Sequence, residues 1–189
     1  MTSSNPIAGG ASVGSGIAPR DISRVIGVAK AYVTRVGSGP FPTELPEAEA
    51  QDLRKYGDEF GTVTGRARRV GWFDAVLARY ATRLNGFTEI ALTKLDVLTG
   101  YDELLVCTSY EYEGEILRDF PYHQTVFHKS KPVYARLKGW WEDLTGITDP
   151  DDLPDAVREY IAFLEDQVGI PIRIVSVGPE RDQTLHMAA

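Results

Sequence analysis

The chain of 189 residues contains one cysteine, so no disulfide framework within it can hold the fold. Cys107 sits in the apolar run Leu104-Leu105-Val106-Cys107 and reads as a small buried thiol without chemistry of its own. No apolar run is long enough to cross a bilayer, which argues against a membrane span. The opening residues Met1-Thr2-Ser3-Ser4-Asn5-Pro6 lack the basic and apolar regions of a secretory signal, so the expected location is the cytoplasm. A cationic excess is missing too: 20 Lys and Arg face 27 Asp and Glu, leaving a net charge of −7, which excludes a general nucleic-acid binder. Any anion site must be local. His123, His128 and His186 have no metal-ligand spacing, and neither H-E-x-x-H nor C-x-x-C occurs, so a zinc site or a catalytic triad is not expected. Internal repeats and low-complexity tracts are likewise missing.

What remains is an ordinary globular composition, 43% hydrophobic and 25% charged, long enough for one sizeable core with an appendage. Residues 1–19, with Gly9-Gly10 and Gly14-Ser15-Gly16, read as an irregular loop. From Asp21, the apolar positions Ile22, Val25, Ile26, Ala29, Val33 and Val36 recur at helical spacing up to Gly37-Ser38-Gly39-Pro40, which predicts an amphipathic helix. A short helix is expected over Glu47–Tyr56. A second amphipathic helix carries Phe73, Val76, Leu77, Tyr80 and Leu84 and stops at Asn85-Gly86, followed by a strand over Thr88-Glu89-Ile90-Ala91-Leu92-Thr93. Leu104–Tyr112 and Glu115–Arg118, joined by Glu113-Gly114, form a candidate hairpin, an appendage within 101–136 expected to stand apart from the main sheet. Leu153-Pro154 opens a helix with Val157, Tyr160, Ile161, Leu164 and Val168 on one face, and Ile172-Arg173-Ile174-Val175 supplies a last strand. The order implies an α/β domain over 1–189. Trp140-Trp141 reads as hydrophobic packing, and His186-Met187-Ala188-Ala189 as a frayed end.

Three segments carry chemistry. Leu92-Thr93-Lys94-Leu95-Asp96 places a Lys-x-Asp just past a buried strand, where α/β sheets hold ligands. A carboxylate fixed there accepts two hydrogen bonds from guanine, at N1–H and the exocyclic amine, a donor pair that adenine lacks. Lys94 can lay its aliphatic stem over a purine while its ammonium stays wet. The alternative is a solvated turn. Ser176-Val177-Gly178-Pro179, again directly after a strand, can offer backbone N–H groups to a base carbonyl, or simply end the strand. The third segment, Gly61-Thr62-Val63-Thr64-Gly65-Arg66-Ala67-Arg68-Arg69, gathers arginines in an acidic chain; such forks bind carboxylates or phosphates, a solvated charged turn being the alternative. Gly10-Ala11-Ser12-Val13-Gly14-Ser15-Gly16 lacks the Gly-Lys-Ser/Thr ending of a phosphate loop and is not read as one.

Taken with Thr34-Arg35-Val36-Gly37, Gly39-Pro40-Phe41-Pro42-Thr43-Glu44 and Gly71-Trp72, these segments resemble adenylosuccinate synthetases in order and spacing over nearly the whole chain. The resemblance implies the C-terminal part of a P-loop-NTPase-like, mainly parallel sheet flanked by helices. It implies GTP contacts for Lys94, Leu95, Asp96, Ser176, Val177, Gly178 and Arg68. Substrate aspartate would meet the loop Thr62, Val63, Thr64, Gly65, Arg66, Ala67 and Arg68, and IMP would meet Thr2, Val36 and Arg66. Val63, Ala67, Val70 and Ala18 depart from common family residues without removing a charge those roles require. In the family, the γ-phosphoryl of GTP passes to O6 of IMP and the aspartate amine then displaces phosphate at C6. The family's glycine-rich phosphate loop, catalytic Asp and His, and magnesium ligand have no counterpart in this sequence. The expectation is therefore a truncated chain with no catalytic residue or metal ligand of its own, inactive without its N-terminal complement and, in the whole enzyme, a homodimer. A non-catalytic GTP- or dicarboxylate-binding fragment, or an inert partial fold, is the other reading.

Overall fold

The computed structural model describes residues 6–188. The chain runs through α1 (Gly9–Ser15), β1 (Ile26–Lys30), β2 (Val33–Arg35), α2 (Glu47–Tyr56), β3 (Arg69–Gly71) and β4 (Phe73–Asp74). It continues with α3 (Ala75–Asn85), β5 (Glu89–Thr93), β6 (Glu103–Tyr112), β7 (Glu115–Leu117) and α4 (Gln124–Lys129). It closes with β8 (Lys131–Lys138), α5 (Asp155–Val168), β9 (Ile172–Ser176) and β10 (Thr184–His186).

The central sheet has the order β1-β5-β9-β10; β1, β5 and β9 are parallel and β10 returns antiparallel. In β5, Ile90, Ala91 and Leu92 are buried on both faces, as a parallel strand covered by helices requires. The stripe Val157, Tyr160, Ile161, Leu164 and Val168 of α5 enters the same core. Asp74 caps α3, its Oδ1 accepting from the Val76 and Leu77 amides at 3.1 Å, and Gly86 ends the helix with φ 62°, a left-handed turn that suits glycine. A second four-stranded sheet joins β4, β6, β7 and β8, and β2 pairs with β3 in a two-stranded ribbon. This mixed, mainly parallel α/β arrangement flanked by helices is the class the sequence implied.

Four local expectations are corrected. The helix predicted from Asp21 is instead the strands β1 and β2. Its positions fit a helical period, yet they are rich in β-branched residues, and pairing with β5 decides the outcome. Gly27 fits there because an added Cβ would lie 2.7 Å from the Phe87 ring. The N-terminal loop holds the short helix α1, ended by Gly16 at φ 75°. Phe73 belongs to β4 rather than to the helix. Of the expected frayed end, His186 closes strand β10 and Met187 is tied to the sheet, its amide donating to the Arg173 carbonyl at 3.0 Å and its side chain packing against the core. Of the tryptophan pair, Trp140 packs inside while Trp141 is exposed and donates to Asp102.

Candidate functional site

The carboxyl ends of β5 and β9 lie side by side, and the loops that leave them enclose a cleft of about 460 Å³. Lys94, Asp96, Ser176 and Gly178 line it, together with Tyr56 and Gly57 from the end of α2. Leu95 and Val177 are buried in the core and do not line the cleft, so they anchor the loops rather than face it. The Leu95 amide donates to the Ser176 carbonyl at 3.3 Å, tying one loop to the other. The Val177 amide is taken by the Gln183 carbonyl at 3.0 Å, which leaves Gly178 as the better placed N–H for an incoming carbonyl. An added Cβ at Gly178 would meet the end of the Gln183 side chain and displace it.

Asp96 opens a single 3-10 turn (Asp96–Leu98) directly after the strand. Its Oδ1 is buried and has no hydrogen-bond partner among the described residues. Burial holds its carboxyl above the ordinary range, against the pull of nearby N–H groups and of Lys94. A desolvated acceptor without a donor is costly unless a ligand supplies one. Lys94 takes φ 64°, an uncommon backbone for a side-chain-bearing residue, and donates from Nζ to the Gly57 carbonyl at 2.6 Å. The ammonium is thus fixed against α2, and the stem is left to cover a flat ligand.

The arginine segment is a tight protruding loop. The Gly61 and Arg66 backbones, the Gly65–Gly61 bond at 2.7 Å and a bridge between Phe60 and Ala67 close it, with Gly65 at φ 62°. A small cleft of about 80 Å³ joins Val36, Thr64, Arg66 and Arg68 with Arg35 and Arg69. The loop and Val36, far apart in sequence, therefore meet. Thr62 and Val63 do not line that cleft, and Val63 is 97% exposed. Arg69, grouped with the loop by sequence, is occupied elsewhere: it makes a two-pronged pair with Glu44 and donates to the Gly37 and Gly39 carbonyls at 3.1 and 2.9 Å. Arg66 is exposed and forms no side-chain hydrogen bond among the described residues, so it is free for an anion. Thr2 lies outside the described residues.

One element of the site has no sequence signal. Glu59, 0% exposed, accepts from Lys30 Nζ at 2.7 Å and the Tyr32 hydroxyl at 2.6 Å on Oε1, and from Arg68 at 2.6 Å on Oε2. Burial pushes its carboxyl up, but the hydrogen bonds from Lys30, Tyr32 and Arg68 outweigh it and hold the group below its ordinary value. A glutamate after a short helix carries no motif, and only the fold shows that it is buried.

Comparison with known proteins identifies the family. The adenylosuccinate synthetase family profile matches residues 1–185. The chain is 56% identical to the adenylosuccinate synthetase of Parafrankia sp. (strain EAN1pec) over 98% of its own length and 43% of that protein. It is 54% identical to that of Geobacter sulfurreducens over the same shares. The chain thus spans less than half the length of the curated relatives it matches. A fully ligated adenylosuccinate synthetase structure from Plasmodium falciparum superposes with a TM-score of 0.94 at 38% identity, covering 100% of this chain and 45% of that one. A cyanophage S-2L succinoaminodeoxyadenylate synthetase, at 18% identity and a TM-score of 0.51, covers 98% of this chain and 40% of its own and shares the fold alone. With the cleft at two strand ends and the arginine loop described, the match over residues 1–185 establishes that the chain belongs to the adenylosuccinate synthetase family.

Proposed function

We propose that this chain supplies the guanine-recognition and aspartate-binding elements of a GTP-dependent ligase that joins IMP to L-aspartate. The observation that carries the reading is the buried, unpartnered Oδ1 of Asp96 at the end of β5. Guanine N1–H and its exocyclic amine satisfy such a carboxylate, Lys94 covers the base, and Gly178 N–H meets its O6. Arg66 and Arg68 suit the carboxylates of aspartate or a phosphoryl group, and Val36 beside them suits the IMP ribose. Positioning and electrostatics of this kind dominate phosphoryl transfer. The proton abstraction and phosphoryl stabilisation belong, on this reading, to an N-terminal complement. The chain alone would bind without turnover, and the whole enzyme would act as a cytoplasmic homodimer. No group of three or more His, Cys, Asp or Glu that could hold a metal ion is gathered among the described residues. No step is therefore assigned to a metal in this chain.

Titration calorimetry of the chain with GDP, IDP and ADP tests the base reading. GDP should bind best, IDP more weakly for want of the exocyclic amine, and ADP least. Asp96→Asn should reduce the GDP-over-ADP ratio by about 10-fold or more, the loss of a charge-assisted pair of hydrogen bonds. Equal binding of GDP and ADP to the unaltered chain would sink the assignment.

A further inference from the structure

The guanine-facing cleft and the arginine cleft share no lining residue, yet one short segment holds a cation from each. Gly57, Asp58 and Glu59 follow α2 directly. The Gly57 carbonyl accepts from Lys94 Nζ at 2.6 Å, and the same ammonium lies 4.0 Å from Glu59 Oε1. Arg68 is gripped twice, its guanidinium on Glu59 Oε2 at 2.6 Å and its backbone N–H on the Glu59 carbonyl at 2.9 Å. The segment has little room to shift: a Cβ added at Gly57 would lie 2.9 Å from the Leu53 carbonyl and closer still to the Tyr32 hydroxyl. Asp58 turns the chain between these grips at φ 48°.

We propose that Glu59 is a positioning residue that couples the two clefts, holding Arg68 directly and Lys94 through Gly57 in one arrangement, so that filling either cleft changes the affinity of the other. A ligand anion that draws Arg68 away leaves the buried carboxylate to Lys30, Tyr32 and Lys94, and Lys94 is the group whose stem covers the base. Linkage makes the coupling reciprocal. The identity of the ligands rests on the functional reading above; the coupling between the cations does not.

A mutant cycle on the chain separates the two. Urea midpoints are measured for Arg68→Met, Lys94→Met and the pair, first with Glu59 present and then in a Glu59→Gln background. With Glu59 present, the double variant should lose more than the sum of the single losses, because each cation partly covers the carboxylate that the other leaves. In the E59Q background the losses should add. Additive losses with Glu59 present would overturn the coupling. If E59Q does not fold, Glu59→Asp replaces it; its shorter stem should bring the losses closer to additive, and an undiminished deviation would count against the proposal. The ligand arm uses guanosine, which has no phosphate for Arg68 to meet, followed by the Lys94 and Gly178 amide resonances. Arg68→Met should change guanosine affinity at least threefold with Glu59 present and leave it unchanged in the E59Q background. An unchanged affinity in Arg68→Met alone would overturn the proposal, whereas no guanosine binding to any variant would count against the guanine reading and leave the cycle to decide the coupling.

Discussion

Two carboxylates near the clefts carry opposite pH signatures. Asp96 is held above its ordinary value by burial, so the folded chain retains its proton more tightly than the unfolded one. Its contribution favours folding below the ordinary carboxylate range and is lost as pH rises through the raised value. A group shifted in this way makes folding less favourable as pH rises. Asp96→Asn should raise the melting temperature at pH 7 by ~3 °C, on the order of 1 kcal/mol, with the gain shrinking in acid. Thermal melts across pH check this, and a lower melting temperature at pH 7 would refute it. Glu59 has the reverse sign: held below its ordinary value by its three donors, it stabilises the fold above the ordinary carboxylate range, and the benefit goes as pH falls through the depressed value. Asp96 was legible in sequence because its spacing after a strand is a known pattern. Glu59 was not, because its role depends on Lys30 at the end of β1, Tyr32 just past it and Arg68 in the arginine loop converging on it.

At the level of elements, the turn between β9 and β10 depends on one side chain. Gln183 Oε1 accepts from the Glu180 amide at 2.9 Å and its Nε2 donates to the Thr145 carbonyl at 2.9 Å, while its own carbonyl holds the Val177 amide. Gly178→Ala would drive its methyl into that side chain and break the first two bonds. We expect a loss of about 1–2 kcal/mol for Gly178→Ala and a smaller further loss for the same change in a Gln183→Ala background. Urea unfolding of the four chains measures this, and equal losses in both backgrounds would contradict it. Helices α2, α3 and α5 and strands β5, β6, β7 and β9 were readable from periodicity, caps and glycine stops. β8 was not singled out, and β1 was read as a helix, since Ile22, Val25, Ile26, Ala29 and Val33 satisfy a helical period. The outward positions of β1 carry Ile26 and Val28, so no apolar–polar alternation marks the strand, and only its partner β5 assigns it.

Across the whole molecule, β1 forms one edge of the central sheet among the described residues, and its Ile26 and Val28 face solvent, Val28 at 78% exposure. Parallel sheets ordinarily cover both faces, and an exposed apolar edge invites association. Val28→Lys should therefore reduce self-association in light scattering while leaving unfolding energetics within about 0.5 kcal/mol. Unchanged scattering would mean that this edge is not where copies meet. By itself, the sequence determined the α/β class, the positions of the Lys-x-Asp, Ser-Val-Gly-Pro and arginine segments, and the family, because local periodicity and motif spacing are written along the chain. Tertiary structure alone decided that the N-terminal apolar run becomes a strand, that Arg69 is occupied by Glu44 while Arg66 stays free, and that Asp96 is a buried acceptor without a donor. It also brought one cation lining each cleft, Arg68 and Lys94, to within 4.0 Å of the Glu59 carboxylate. Burial, strand pairing and charge pairing join residues distant in sequence, and no local pattern records them.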